Sequence, residues 1–261
     1  CLTFLAWAIL GPEPRLAHIA KVAHVSTLIP TTIEYVDMAG LVKGASQGEG
    51  LGNKFLSHIR EVDAIVHVVR CFEDPDVHHV TGSLDPVRDI EIVATELVLA
   101  DLEAVKKRHE KVAKDTKRGD KHAQLETRLL ELLAPHLDAG KPANTLGLPL
   151  APEEKAILRS FFLLTDKPTV FATNIKEADL ASADADPLVA QVRAYTRAHH
   201  ACETVVICAK LESDLADLTP EEAQEYLKEL GVQESGVAAL IRATYQLLGV
   251  RTFFTFNEKE V

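Results

Sequence analysis

Short apolar runs rich in β-branched residues alternate along the chain with segments of helical periodicity. The runs that predict strands lie at 33–37, 64–70, 168–174 and 203–209. Helical patterns fall between them at 53–61 and 187–200. A further helix is expected from Pro220, with Thr219 as its N-cap and Glu222 completing a capping box. Near-continuous apolar strands separated by helices predict an α/β fold, a mostly parallel sheet with helices on both faces.

One region lacks strand signals and predicts an inserted helical coiled-coil hairpin. Apolar residues recur there at helical spacing on both sides of Gly119, namely Ile90, Val93, Leu97, Leu102 and Val105, then Leu125, Leu129, Leu132 and Leu133. A Gly- and Pro-rich linker follows at 139–152. The expected organisation is therefore a first part of the α/β domain, the hairpin with its linker, and the rest of the α/β domain, at 1–88, 89–152 and 153–261.

The predicted tip of the hairpin is strongly basic. Between positions 106 and 121 it carries eight basic residues: Lys106, Lys107, Arg108, Lys111, Lys114, Lys117, Arg118 and Lys121. In a chain of formal net charge −11, such a cluster favours contact with an anionic partner such as RNA. The alternative is a solvated helix face whose lysines pair with Glu110, Asp115 and nearby acids.

Composition and charge narrow the class further. The net charge of −11 argues against a protein whose whole surface binds nucleic acid, and no DNA sequence specificity is expected. The apolar opening, about ten residues long, is shorter than the roughly 20 residues of a membrane helix and shows no clean helix or strand pattern. The four cysteines show neither zinc-type spacing nor a disulfide framework. These features predict a cytoplasmic protein without a membrane segment.

A glycine-rich stretch follows the strand at 33–37. It places five glycines within thirteen residues, starting at Gly40 of the sequence Asp37-Met-Ala-Gly40. A carboxylate at the end of a strand can hold a magnesium-bound water, and the glycine N–H can bind a terminal phosphate. A dinucleotide fingerprint fits less well, because the glycines lie well past the strand and at the wrong offsets. The pattern favours a nucleotide switch over a flexible surface loop.

The residues from Asp37 to Val80 resemble the switch region of the Obg-like P-loop ATPases, specifically the YchF family. The resemblance extends over about 12–261 and includes the segments DPVRDIEIVATELVLADLE and LLTDKPTVFATNIKE. It implies a P-loop NTPase fold of the G-domain type, interrupted by a helical coiled-coil insertion and followed by a TGS domain. It also implies ATP hydrolysis with Mg²⁺, weaker binding of GTP, and the ribosome or its RNA as a partner.

The resemblance also implies base-binding residues. Asn174, Ile175 and Glu177 match the family's Asn-x-x-Glu, which replaces the Asn-Lys-x-Asp of guanine-specific relatives. An aspartate in the last position accepts from both N1–H and the amino group of guanine, whereas adenine has no N1 proton to donate. The segment from Cys208 through Ala209 and Lys210 matches the loop that closes over the base, and Phe72 matches an aromatic residue beside adenine.

Candidate catalytic residues lie near the switch. Leu41 follows Gly40 where Ras-like proteins have the glutamine that positions the attacking water. An apolar side chain cannot orient water, so another group must do so. His79 resembles the family's candidate catalytic histidine, and an imidazole titrates near neutrality.

The chain also departs from the family pattern. It contains no Gly-x-x-x-x-Gly-Lys-Ser/Thr, and the family's P-loop and first strand would precede the point where the resemblance begins. It ends where the family continues into its TGS domain. We therefore expect a fragment that is inactive by itself. The alternatives are a GTP-binding Obg-type GTPase and a nucleotide-independent module that binds the ribosome or RNA through the basic hairpin.

Overall fold

The computed structural model describes residues 6–10, 14–29, 31–37, 51–74, 83–199, 202, 204–251, 253–255 and 257. The strands in these ranges are β1 (Ala6–Leu10), β2 (Thr32–Val36), β3 (Ile65–Arg70), β4 (Thr169–Asn174) and β5 (Thr204–Ile207). The helices are α1 (Pro14–Ala23), α2 (Leu51–Glu61), α3 (Pro86–Lys117), α4 (Lys121–Asp138), α5 (Pro152–Arg159), α6 (Pro187–His199), α7 (Ala209–Leu215), α8 (Pro220–Glu229) and α9 (Gly236–Leu248). Short 3₁₀ helices lie at Ala143–Thr145, Leu164–Asp166 and Glu177–Ala185.

The predicted α/β fold is confirmed. Strands β3, β4 and β5 form a three-stranded sheet in that order, and β4 runs parallel to β5 with Phe171 opposite Thr204. The predicted capping box at the start of α8 is also present, since the Thr219 hydroxyl accepts from the Glu222 N–H and the Glu222 carboxylate accepts from the Thr219 N–H.

Strand β2 has a partner that the sequence pattern did not predict. It pairs antiparallel with β1, with Trp7 opposite Tyr35, in a two-stranded sheet. The opening apolar residues carry no period-2 alternation, so their pattern could not reveal β1.

The chain divides into two compact units, and the first contains the sheet. This unit comprises Cys1–Met38, Val66–Leu84 and Thr169–Val261. Helices α6 and α9 pack against β4 and β5. At the start of α9, a Cβ on Gly236 would stand 2.9 Å from the Ile207 Cα, so the close approach of α9 to β5 requires glycine.

The second unit contains the helical hairpin that the sequence predicted. It comprises Ala39–Ile65 and Asp85–Pro168, and therefore groups α2 with the hairpin helices α3 and α4. The hairpin begins earlier than predicted, at Pro86, because the Asp85 carboxylate accepts from the Arg88 N–H and caps α3. The two helices are joined through Gly119, whose φ of +84° is in the left-handed region. Leucines from α4 and valines from α3 form the core of this unit with Ile157 and Phe161.

A buried carboxylate also stabilises the second unit. Asp101 of α3 is 0% exposed. Its Oδ1 accepts from the Leu164 N–H at 2.8 Å, and its Oδ2 accepts from the Thr165 N–H at 2.8 Å and the Thr165 hydroxyl at 2.7 Å. Asp101 thus fixes α3 to the 3₁₀ turn that precedes β4.

None of the helices in the described ranges combines the length and the apolar character that crossing a membrane requires.

Candidate functional site

Asn174 holds the ends of the three sheet strands together. Its main-chain oxygen accepts from the Cys71 N–H at 2.8 Å, just past the end of β3. Its side-chain Oδ1 accepts from the Ala209 N–H at 3.0 Å, just past the end of β5. These two bonds bring Phe72, the residues after Asn174 and the start of α7 to one edge of the sheet. This is the edge where open α/β sheets bind their ligands.

Ile175 and Glu177 stand where guanine-specific relatives have the Lys and Asp of Asn-Lys-x-Asp, and the two side chains have different environments. Ile175 is 2% exposed, and its N–H donates to the Ile207 oxygen at 3.0 Å, so its side chain belongs to the core. Glu177 is half-buried, and its Oε1 accepts a hydrogen bond from the Tyr226 hydroxyl at 2.6 Å. This hydrogen bond raises the pKa of Tyr226, because ionisation would remove the donor and place two negative charges together. No sequence pattern points to Tyr226, which lies 49 positions from Glu177.

Phe72 lies in the segment after β3, where Arg70 contacts it. The Arg70 guanidinium lies 4.7 Å from the centre of the Phe72 ring, and its Nε donates to the Phe72 oxygen at 2.9 Å. A cation over an aromatic face is an attractive arrangement that also restricts the ring. The adjacent Cys71 is buried, and burial, assisted by Asp186, raises the pKa of its thiol to about 12. Cys71 is therefore a structural thiol.

The segment predicted to close over a base forms the start of α7. Cys208 is buried, and its Sγ accepts from the Leu211 N–H at 3.5 Å, whereas Lys210 is exposed. Glu212 is turned away towards α9, where its Oε1 accepts from the Gly236 N–H at 2.6 Å. Burial raises the pKa of Glu212 despite the hydrogen bonds from Gly236 and its neighbours.

The switch residues are only partly within the described ranges. Asp37 directly follows β2 and is exposed. Gly40, Leu41 and His79 lie outside the described residues. Within those residues no group of three or more His, Cys, Asp or Glu side chains forms a metal cluster.

Seven of the eight basic residues at the hairpin tip lie on α3 or directly after it, and they fall into two groups; the eighth, Lys121, is exposed at the start of α4. The first group is engaged within the second unit: Lys106 with Asp138 at 3.7 Å, Lys107 with Glu103, and Arg118 with Asp115 at 3.2 Å. Arg108 is the most constrained, since its Nε donates to Glu126 at 2.5 Å and its guanidinium lies 4.5 Å from the centre of the Phe161 ring.

The second group consists of Lys111, Lys114 and Lys117, in the last turns of α3. All three are exposed, and no hydrogen bond or ion pair with another described residue holds them. They are thus the basic side chains of α3 that remain open to an anionic partner.

The fold and the edge site define the chain as an α/β protein of the P-loop GTPase type. Residues 12–101 match a family model described as a 50S ribosome-binding GTPase. The solved structure of the Schizosaccharomyces pombe YchF GTPase superposes with a TM-score of 0.82 and 31% identity, and the match covers 97% of this chain and 68% of that one.

Curated relatives make the assignment more specific. The ribosome-binding ATPase YchF of Bacillus subtilis is 45% identical over 250 residues, which cover 96% of this chain and 68% of the relative. The protein of the same name from Escherichia coli O157:H7 is 44% identical over 250 residues, covering 96% and 67%. The chain belongs to the YchF family.

Proposed function

We propose that this chain carries the base-binding part of a cytoplasmic protein that binds ATP in preference to GTP, hydrolyses it with Mg²⁺, and associates with the ribosome. The relatives from Bacillus subtilis and Escherichia coli are named ribosome-binding ATPases. The observation that carries the proposal is the pair of hydrogen bonds through which Asn174 joins the segment after β3 to the start of α7 after β5. They gather Phe72, Glu177 and Lys210 around one edge of the sheet.

In the proposed site, Asn174 binds the purine and Glu177 selects it. Because Oδ1 of Asn174 is engaged by Ala209, its amide Nδ2 remains to donate to N7, which adenine and guanine share. Glu177 offers a carboxylate oxygen, an acceptor that matches the 6-amino group of adenine. The Phe72 ring stacks on the base with the face opposite Arg70.

The phosphate chemistry rests on the switch residues. The exposed carboxylate of Asp37 is a hard oxygen donor, which fits Mg²⁺ held through a water molecule. When bound, Mg²⁺ would neutralise developing phosphate charge. The Gly40 N–H would bind the terminal phosphate, and His79 would position the attacking water, since Leu41 has no polar atom to do so.

Nucleotide choice needs direct measurement, because the solved Schizosaccharomyces pombe structure is described as a GTPase and the bacterial relatives are named ATPases. We expect ligand-observed NMR competition on the full chain to show Mg-ATP displacing Mg-GTP at the lower concentration. Glu177→Ala should remove the preference, and the control Glu225→Ala on exposed α8 surface should keep it. A parent chain that prefers GTP would contradict the assignment and favour an Obg-type GTPase. Ile175→Lys is a poor test, because it would bury an ammonium group in the core.

The phosphate-binding contribution of these 261 residues is proposed to be small. Their sequence contains no Gly-x-x-x-x-Gly-Lys-Ser/Thr, whose amides and lysine hold the phosphates in P-loop proteins. Calorimetric titration of the chain with Mg-ATP should therefore show binding weaker than micromolar, and phosphate release should stay at background. Micromolar binding or sustained turnover would contradict this.

A second candidate function is nucleotide-independent binding of the ribosome or its RNA by the hairpin. It is favoured by the three exposed lysines in the last turns of α3, Lys111, Lys114 and Lys117. Since each lysine that contacts a phosphate releases counterions, the affinity should fall with salt.

Sedimentation with ribosomes at two salt concentrations tests this function. Replacing the three lysines with Ala should weaken association and flatten the log–log salt slope by roughly 2–3. The matched control replaces Lys21, Lys155 and Lys228, which are exposed elsewhere, so that the net charge changes equally. Equal weakening in the two triple variants would show a general charge effect and no defined contact.

A further inference from the structure

The hydroxyl of Tyr226 lies against the carboxylate to which the proposed function assigns base selection. Tyr226 is on α8 and Glu177 follows β4, and their hydrogen bond is 2.6 Å long. The phenol O–H donates in this bond, and Oε1 of the Glu177 carboxylate accepts. One of the two carboxylate oxygens is therefore engaged before any nucleotide binds.

The two purines place different demands on that carboxylate. Guanine presents two neighbouring donors, N1–H and the 2-amino group, which a carboxylate accepts best with both oxygens at once. Adenine presents a single donor group, the 6-amino group, for which one oxygen is enough. The Tyr226 hydroxyl takes one of the two acceptor positions on Oε1. The carboxylate therefore keeps its other oxygen for adenine and offers guanine a weaker two-oxygen fit.

We infer that Tyr226 is a specificity-determining residue, which disfavours guanine nucleotides by occupying an acceptor position on one oxygen of Glu177. The inference rests on the proposed base-binding site. It assigns to α8 a role in nucleotide choice that the four-residue motif from Asn174 to Glu177 does not reveal.

The test is Tyr226→Phe in the full chain, with dissociation constants for Mg-ATP and Mg-GTP measured by ligand-observed NMR at millimolar nucleotide. Tyr226 is only half-buried and α8 contains no buried residue, so the variant should fold. We expect GTP binding to tighten roughly three- to tenfold relative to ATP, the range that corresponds to one hydrogen bond. Tyr245→Phe, which removes a hydroxyl from α9, is the control and should leave the ratio unchanged.

A double-mutant cycle with Glu177→Gln completes the test. In the Gln background, Tyr226→Phe should no longer change the ratio, because the second acceptor oxygen is absent. An unchanged ratio in the single variant, equal weakening of both nucleotides, or the same gain in the Gln background would overturn the inference and leave the proposed site standing. A parent chain that shows no preference for ATP, or binds neither nucleotide, would overturn the proposed site and the inference together.

Discussion

Removing the Asp101 carboxylate should destabilise the second unit more than any surface change on the same helix. Asp101→Ala would leave the N–H groups of Leu164 and Thr165 without their acceptor in a buried place. Each unsatisfied buried donor costs about 1–3 kcal/mol. Removing one partner of a buried charged arrangement costs about 3–5 kcal/mol in total, and we expect a loss in this range. Arg60 contributes less, since its Nη1 lies 3.8 Å from the carboxylate and donates instead to the Phe162 oxygen.

Asp101→Asn sharpens the prediction because it keeps the shape of the side chain. Both Asp101 oxygens accept hydrogen bonds, so an amide NH₂ in either place would face a donor. We therefore expect Asn to be at least as destabilising as Ala. Asp115→Ala is the matched control, since Asp115 lies on the same helix and makes an exposed ion pair with Arg118, worth about 0–1 kcal/mol.

Urea unfolding followed by circular dichroism would measure the loss of stability. Because the two units could unfold separately, the loss of stability must be assigned to one of them. Hydrogen exchange measured on peptides from α3 and α4 would assign it to the second unit. The reasoning would be refuted if Asp101→Ala and Asp101→Asn both stayed within about 1 kcal/mol of the parent, as expected for the exposed control.

Three further predictions concern the first unit. Burial raises the folded-state pKa of Glu212 above the ordinary 4.5. The contribution of Glu212 to the free energy of unfolding should be complete below pH 4.5 and should be lost as the pH rises through the folded-state pKa. The difference in unfolding free energy between the parent and Glu212→Gln should therefore shrink between pH 4.5 and that folded-state pKa. Cys71 is buried and its pKa is raised to about 12, so it should resist iodoacetamide in the native chain and react only on unfolding. Half-buried Cys202 should be labelled earlier. Equal labelling rates for the two thiols would contradict this. Gly236→Ala should cost about 1–3 kcal/mol in urea unfolding, because the new Cβ would meet the Ile207 backbone, and a neutral change would show that α9 can shift.

Residue pattern was enough to predict the strands β3, β4 and β5 and the helical hairpin. These elements consist of β-branched runs or sustained helical spacing, and both are local signals. The periodic pattern predicts a start at Asp89, three residues later than the observed Pro86, because the cap that fixes the first turn of α3 is Asp85. Strand β1 has no such pattern, and its pairing with β2 is a contact between distant parts of the chain.

The hairpin shows why side-chain roles were harder to predict than elements. Asp101 lies on the buried side of α3 among valines and leucines, a place where helical periodicity expects an apolar residue. Its partners are backbone N–H groups 63 and 64 positions away, which no local pattern encodes. On charge alone Arg108 belongs to the basic tip, yet its guanidinium contacts Glu126, Ser160 and Phe161. Charge in a sequence identifies a candidate surface, and only tertiary contacts show which of its members are available.

The same limit applies to nucleotide choice. In the proposed site, Asn174 binds N7, which adenine and guanine share, so that residue alone cannot select between them. Ile175 is in the core and can act only by excluding a lysine. The choice between adenine and guanine then depends on which acceptor positions of the Glu177 carboxylate are available. The hydroxyl of Tyr226, which is 49 positions away in the sequence, occupies one of them. A short motif after β4 would therefore specify that a purine binds, and the contact with α8 would specify which purine. Relatives that share the motif could differ in nucleotide preference if they differ at the position of Tyr226.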